Sequence, residues 1–159
     1  MHPQLRLSCF NANRLWSSQG ALHNGFYGQI HFLQCAQVDI ALVQELNLPL
    51  GADLPGDQPY RYLGPDGTQG RDAGLLVHQR VWSHVSKISD VSPSPDLFWI
   101  LVRSADGQAC SAIVSFYAPD VGRPPAQRLE FWTHFSASVD TVRQLYPHAN
   151  LVLAGDCNL

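Results

Sequence analysis

Polar side chains of a few chemical types follow the apolar runs of this sequence. They are Asn11, Glu45, Tyr117, Asp156 and Asn158. A lone carboxylate with amide oxygens and waters suits a hard cation, since Mg²⁺ takes oxygen ligands and keeps several waters when one or two carboxylates and a substrate phosphate hold it. The seven histidines and four cysteines show no zinc-ligand spacing. The residues therefore predict a Mg²⁺ site, with Mn²⁺ as a substitute, if the fold gathers them.

Each of these side chains also has an ordinary structural interpretation. Glu45 on its own is typical of a solvated carboxylate at a strand end, and Asp156 of a turn residue after a glycine. Asn11 and Asn158 are typical turn residues, and Tyr117 is typical of a half-buried core position. The chemical interpretation depends on their convergence in space.

The first half of the chain predicts elements that would place two of them together. Alternation over residues 5–10 predicts a strand that delivers Asn11, and apolar residues at helical spacing predict a helix over 26–36. The apolar run 38–43 predicts a buried strand that ends beside Glu45. Side chains that leave neighbouring strands can meet at one edge of a sheet.

Three stretches follow in the middle of the chain. Residues 49–70 are rich in proline and glycine, which predicts a surface loop with little regular structure. Strand character resumes over 73–78, and rough alternation predicts another strand over 81–91.

The last third predicts a hairpin, a helix and a strand. An Asp-Gly turn at 106–107 joins apolar runs at 97–102 and 109–117, which is a strong hairpin signal. Helical spacing over 128–146 predicts a helix, and residues 151–154 predict a buried strand that carries the final polar pair outward. This order predicts an α+β fold with mixed sheets and outer helices.

Composition predicts a soluble globular protein. Its 159 residues are 45% hydrophobic and 14% charged, enough for one core, and the net charge of −3 argues against a broad basic surface. Nine of the ten basic residues are arginine, which suits phosphate contacts and equally reflects a GC-rich genome. The scattered cysteines are expected to be reduced core residues. Without a signal peptide or membrane-spanning run, we expect an intracellular location, nuclear or cytoplasmic.

Four motifs in order give the chain a family resemblance. They are Ser-Cys-Phe-Asn-Ala-Asn-Arg-Leu at 8–15, Asp-Ile-Ala-Leu-Val-Gln-Glu at 39–45, Phe-Tyr-Ala-Pro at 116–119 and Gly-Asp-Cys-Asn at 155–158. Together they resemble the endonuclease/exonuclease/phosphatase (DNase I-like) superfamily over essentially the whole chain. An arginine and aromatics at 128–132 make the endonuclease domains of non-LTR retrotransposons the most similar subgroup, although phosphatases and repair nucleases share most of these motifs.

The resemblance implies an incomplete four-layer α/β/β/α sandwich. Residues 1–159 would form a single domain, truncated at its C-terminus, because members of the family close with a Ser-Asp-His type segment that this sequence does not contain. We therefore expect the chain by itself to be inactive or weak.

The resemblance also implies a role for each site residue. Glu45 would be the principal Mg²⁺ ligand with Asn11 beside it, and Asp156 would orient or deprotonate the attacking water. Asn158 and Tyr117 would hold the scissile phosphate.

Other positions bear on phosphate binding. Arg71 is a further candidate to reach the phosphate. Asp120 and Arg14 depart from the family pattern, Asp120 by adding negative charge where the family usually has asparagine.

Three functions remain open on the sequence. The first is Mg²⁺-dependent cleavage of DNA by part of a retroelement protein, with DNA as partner, no membrane, and a reverse-transcriptase region downstream. The second is a phosphatase or phosphodiesterase of the same fold that acts on phosphorylated lipids, inositol phosphates or nucleotides. The third is a non-catalytic remnant or binding module.

Overall fold

The computed structural model describes residues 4–12, 25–46, 54, 57–65, 73–91, 94–104, 106–107 and 110–158. The elements, in chain order, are β1 (Leu7–Asn11), α1 (Gly25–Cys35), β2 (Ile40–Gln44), β3 (Tyr60–Leu63), β4 (Ala73–His78), a 3-10 helix (Gln79–His84), β5 (Val85–Lys87), β6 (Leu97–Arg103), β7 (Cys110–Tyr117), α2 (Pro125–Leu145) and β8 (Asn150–Asp156). The described strands form two sheets of four.

The first sheet has the order β1-β2-β4-β3, and β1 runs parallel to β2. A parallel pair needs a crossover, and α1 lies in the chain between the two strands. Phe26, Ile30 and Leu33 of α1 are buried against the outer face of this sheet, where Ala41 and Val43 lie. The helix predicted over 26–36 is confirmed, and its apolar spacing is the reason it packs there.

The second sheet repeats this arrangement. Its order is β5-β6-β7-β8, with β6 and β7 as an antiparallel hairpin and β8 parallel to β7. Helix α2 connects β7 to β8 and buries Phe131, Val139 and Val142 against the outer face of the sheet. Gly107 in the hairpin turn has φ of 70°, a conformation that glycine adopts at low cost. The predicted hairpin and helix are both confirmed.

The inner faces of the two sheets pack on each other. Ile40, Leu42, Leu75 and Val77 of the first sheet share a core with residues of the second, among them Ile100 and Ile113. With α1 on one outer face and α2 on the other, the layers run α/β/β/α, as the resemblance implied. None of the helices in the described part of the chain combines the length and apolar character needed to cross a membrane.

Two predictions about the middle of the chain are wrong. Strand β3 lies inside the stretch 49–70 predicted as loop, and it forms because Tyr60–Leu63 pairs with β4. The strand predicted over 81–91 is reduced to β5, because the 3-10 helix occupies the residues before it. That helix begins where the side chain of His78 accepts a hydrogen bond from the backbone amide of Arg80.

The cysteines are free, as expected, but only Cys110 packs against the core, beside the second sheet and α2. Cys9, Cys35 and Cys157 are exposed and Cys110 is half-buried. Cys9 lies on β1 at the edge of the described sheet, Cys35 ends α1, and Cys157 follows β8.

Candidate functional site

Two parallel strand pairs bring polar residues to the same end of the sandwich. In the first sheet, the last residues of β1 and β2 are Asn11 and Gln44, and they lie in register. In the second sheet, Tyr117 ends β7 in register with Asp156, which ends β8. Within each sheet the two residues therefore lie at the same end, and the hydrogen bond between Asn11 and Asp156 shows that these two ends meet.

Asn11 connects the two sheets. Its Nδ2 donates a hydrogen bond to Oδ2 of Asp156 at 2.8 Å, across the sandwich, and a longer one to Oε1 of Glu45 at 3.4 Å. One amide nitrogen therefore holds two carboxylates that are 111 positions apart in sequence. The structure brings these three predicted site residues together, while their chemical roles stay predictions.

Glu45 has an unusual backbone. It follows β2 directly with φ of 55°, the left-handed region that costs a residue with a side chain about 1–2 kcal/mol. The amide of Ala12 donates to the carbonyl of Gln44 at 2.7 Å, so the pairing of β1 with β2 extends past the strand end. The peptide before Glu45 is thus held to the segment after β1, and the turned backbone directs Glu45 out of the strand.

Asp156 is fixed through both carboxylate oxygens. Oδ2 accepts from Asn11, and Oδ1 accepts from the backbone amide of Asn158 at 3.0 Å. The residue before it has to be glycine, since a Cβ at Gly155 would overlap the carbonyl oxygen and the ring of Phe116. Asp156 is the last residue of β8. The prediction that it lies beyond a strand ending at residue 154 is wrong, because the pairing with β7 continues as far as Tyr117 and Asp156.

The remaining predicted phosphate contacts have different surroundings. Tyr117 is buried beside Asp156. Asn158 has φ of 46°, and its Nδ2 donates to the carbonyl of Ala118 at 2.7 Å, which ties it to the segment after β7. Arg71 and Arg14 lie outside the described residues.

Asp120 is folded into a local turn. Its Oδ1 accepts from the amide of Gly122 at 3.0 Å, and its carbonyl accepts from the amide of Arg123 at 3.0 Å. The departure from asparagine thus places a carboxylate at the start of the loop that leads into α2.

A buried polar contact behind the site was missed by the sequence analysis. Gln44 is 1% exposed, and its Nε2 donates to Oγ of Ser115, which is fully buried, at 3.0 Å. Oε1 and Nε2 of Gln44 also lie 3.8 Å from Sγ of Cys9. Burial raises the pKa of Cys9 above its usual value, the contact with Gln44 opposes this, and the nearby charge of Asp156 adds to it. The only signal in the sequence was that Gln44 precedes Glu45.

The donor atoms at this edge suit a hard cation. Within the described ranges, no group of three or more His, Cys, Asp and Glu side chains is arranged to hold a metal. The carboxylates of Glu45 and Asp156, which both accept a hydrogen bond from Nδ2 of Asn11, supply oxygen atoms of the kind that Mg²⁺ takes, and the cation fills its other positions with water and substrate oxygens.

The fold of this chain is similar to that of several solved structures, although its sequence is not. Neither a protein-family model nor a curated protein matches the sequence. The endonuclease domain of TRAS1, a telomere-specific non-LTR retrotransposon, is similar with a TM-score of 0.61 and 15% identity, over 98% of this chain and 59% of that one. TDP2 from Caenorhabditis elegans has a TM-score of 0.64 and 15% identity, over 98% of this chain and 47% of that one.

A bacterial phosphatase is similar to the same degree. The mannosyl-6-phosphatase of Bacteroides thetaiotaomicron has a TM-score of 0.61 and 13% identity, over 98% of this chain and 66% of the phosphatase. This chain thus spans between about half and two thirds of the length of these structures. The two sheets, their outer helices and these likenesses agree, so the chain has the DNase I-like fold of the endonuclease/exonuclease/phosphatase superfamily.

Proposed function

We propose that this chain carries a Mg²⁺-dependent site for the hydrolysis of phosphodiesters, with DNA as substrate. The observation that carries the proposal is the pair of hydrogen bonds from Nδ2 of Asn11, at 2.8 Å to Asp156 and 3.4 Å to Glu45. They gather one carboxylate from each half of the sandwich at a common point. Such an arrangement suits metal-assisted attack of water on a phosphate.

Each carboxylate has a distinct task in this proposal. Glu45, with Asn11 beside it, holds the cation, which when bound offsets negative charge on the phosphoryl oxygens and the leaving group. Asp156 takes a proton from the attacking water or orients it, and its two hydrogen bonds keep its oxygens in place for that step. Proximity of this kind lowers the barrier because the reacting groups need no further ordering.

Phosphate binding falls to the segments after β7 and β8. Tyr117 and Asn158 bind the scissile phosphate, and the hydrogen bond from Asn158 to Ala118 holds the two segments together. An amide nitrogen carries two hydrogens, so Nδ2 of Asn158 can donate to Ala118 and to a phosphate oxygen at once.

An exposed aromatic residue beside the site favours a nucleic acid over a small phosphate. Trp132 of α2 is 38% exposed, and its ring packs on Phe116 with centroids 6.2 Å apart. Phe116 directly precedes Tyr117 but lies on the opposite face of β7, so the exposed ring of Trp132 lies on the α2 side of the strand end that carries the proposed phosphate contacts. Aromatic rings of this kind stack on nucleobases, at about 1–3 kcal/mol per base.

The proposal can be tested with supercoiled plasmid and excess protein, so that one turnover per molecule is enough. We expect nicking that requires Mg²⁺, stops with a chelator, and is lost in Glu45→Gln and Asp156→Ala. Asp90→Asn, which changes an exposed carboxylate outside the site, should nick like the unmodified chain. Nicking that survives both site substitutions would reject the proposal.

The second candidate is hydrolysis of small phosphate esters, favoured by the likeness to the mannosyl-6-phosphatase. p-Nitrophenyl phosphate distinguishes the two functions. For a DNA-cleaving site, Trp132→Ala should weaken plasmid nicking without changing the slow release of p-nitrophenol. Rapid hydrolysis of this ester by a chain that fails to nick plasmid would establish the second candidate.

A further inference from the structure

Gln44 occupies a position where a polar side chain is costly. It ends β2 on the face that packs against the second sheet, it is 1% exposed, and Leu42 two residues earlier belongs to the shared core. A buried amide without hydrogen-bond partners is strongly unfavourable, whereas an apolar side chain would fill the space at no such cost. The contacts of Gln44 therefore require an explanation beyond packing.

Those contacts fix the residue through both its side chain and its backbone. Nε2 donates to Oγ of Ser115 at 3.0 Å, with Cys9 as the neighbour on the other side at 3.8 Å. The carbonyl of Gln44 accepts from the amide of Ala12 at 2.7 Å. The last residue of β2 is thus held to β1 in its own sheet and to β7 in the opposite one.

The next residue is Glu45, whose backbone is in the left-handed region with φ of 55°. A strained conformation persists only where the surroundings determine it. Because Gln44 is fixed on three sides, the peptide that joins it to Glu45 has a set orientation, and this sets the direction in which the carboxylate leaves the strand.

Ser115 connects Gln44 to the strand that carries Tyr117, a proposed phosphate contact. It lies on β7 two residues before Tyr117, on the same face of that strand. One hydrogen bond therefore joins the strand that carries Glu45 to the strand that carries Tyr117.

We propose that Gln44, through its hydrogen bond to Ser115, is a positioning residue that aims the Glu45 carboxylate at the cation site and sets its distance from the phosphate contacts. This inference rests on the proposed function, since it requires Glu45 to hold a cation. Partners of a metal ligand commonly change metal affinity by about 10–100-fold when they are removed.

The test measures Mn²⁺ binding to the purified chain by electron paramagnetic resonance of the free ion, together with urea denaturation. Ser115→Ala removes the acceptor and should raise the Kd for Mn²⁺ by about 10-fold. Gln44→Met keeps the length of the side chain but loses the amide, and should raise the Kd at least as much. The double variant should equal Gln44→Met alone, because both substitutions remove one and the same hydrogen bond.

A matched control exists elsewhere in the core. Ser138 is a buried serine whose Oγ accepts from Nε1 of Trp99 at 3.2 Å, between α2 and β6. Ser138→Ala should shift the urea midpoint about as much as Ser115→Ala does while leaving the Kd for Mn²⁺ unchanged.

Two results would overturn the inference while leaving the cation site in place. One is wild-type Mn²⁺ affinity in Ser115→Ala, which decides the matter even if Gln44→Met does not fold. The other is an equal loss of affinity in Ser138→Ala, which would reduce the effect to general destabilisation. Glu45→Gln distinguishes failure of the positioning role from failure of the proposed function. If that variant binds Mn²⁺ like the unmodified chain, the cation site itself is misassigned, and the inference about Gln44 is rejected with it.

Discussion

Substitution of Asp39 by alanine should destabilise the fold without affecting the candidate site. Asp39 is 7% exposed and precedes β2, at the end of that strand opposite to Glu45. Its Oδ2 accepts from the backbone amide of Arg6 at 2.8 Å, and its Oδ1 from Nε of Arg80 at 2.6 Å. The carboxylate thus holds the segment before β1 and the start of the 3-10 helix against β2.

The magnitude follows from these two contacts. A partly buried hydrogen bond to a charged group contributes about 1.5–3 kcal/mol. The pair with Arg80 contributes only about 0.5–1 kcal/mol, because the arginine side chain is 42% exposed and water screens it. Asp39→Ala should therefore lower the free energy of unfolding by about 2–4 kcal/mol, which corresponds to about 4–16 °C in Tm for a chain of this size.

Urea denaturation measures the loss of stability, and Mn²⁺ binding measures the site. Six strand positions separate Asp39 from Glu45, roughly 20 Å, so the Kd for Mn²⁺ should not change under conditions where the variant is folded. Asp90→Ala, at an exposed carboxylate, serves as the control and should leave both quantities unchanged. A loss of less than about 1 kcal/mol, below the value for a single such hydrogen bond, would refute the reasoning about the contacts. A loss of Mn²⁺ affinity in folded Asp39→Ala would refute the claim that the contacts of Asp39 and the site at Glu45 are independent.

Two further predictions concern β8 and β4. Gly155→Ala forces a methyl group against the carbonyl and ring of Phe116, so we expect a loss of about 1–3 kcal/mol in urea denaturation, and unchanged stability would show that the strands can separate freely. Burial, and then the charge of Arg80, lower the pKa of His78 below 6.5. The imidazole of His78 therefore binds a proton more readily in the unfolded chain than in the folded one, and the free energy of unfolding should fall as the pH drops below about 6.5. His78→Gln should lose less stability than the unmodified chain between pH 7.5 and 5.5, and an equal loss in both would exclude His78 as a cause.

Local patterns in the sequence were enough to predict most of the layers. The helices α1 and α2 and the β6–β7 hairpin follow from apolar spacing and from the turn at Gly107, which act within a few residues of the chain. Strand β3 could not be predicted in this way, because its four residues lie among prolines and glycines and only pairing with β4 makes them extended. Tyr62 packs against Gly64 and Gly74, a contact that requires the sheet to be formed.

The candidate site, like the fold, could be predicted from the sequence only in part. Strand ends and motif order predicted that Asn11, Glu45 and Asp156 would lie at one edge, because parallel strands joined by a helix end on the same side. The contact between Gln44 and Ser115 could not be predicted, since 71 positions separate them and each residue alone resembles an ordinary strand residue. Contacts between two sheets depend on how the sheets stack, which no local pattern records.

The most direct test of the central claim is the position of a divalent cation in a crystal of this chain. Crystals soaked in Mn²⁺ should show an anomalous difference peak within coordination distance of a carboxylate oxygen of Glu45, with Asn11 and Asp156 around it. The same soak of Glu45→Gln crystals should show a much weaker peak or none. An ion bound away from these residues, or an undiminished peak in the variant, would contradict the account.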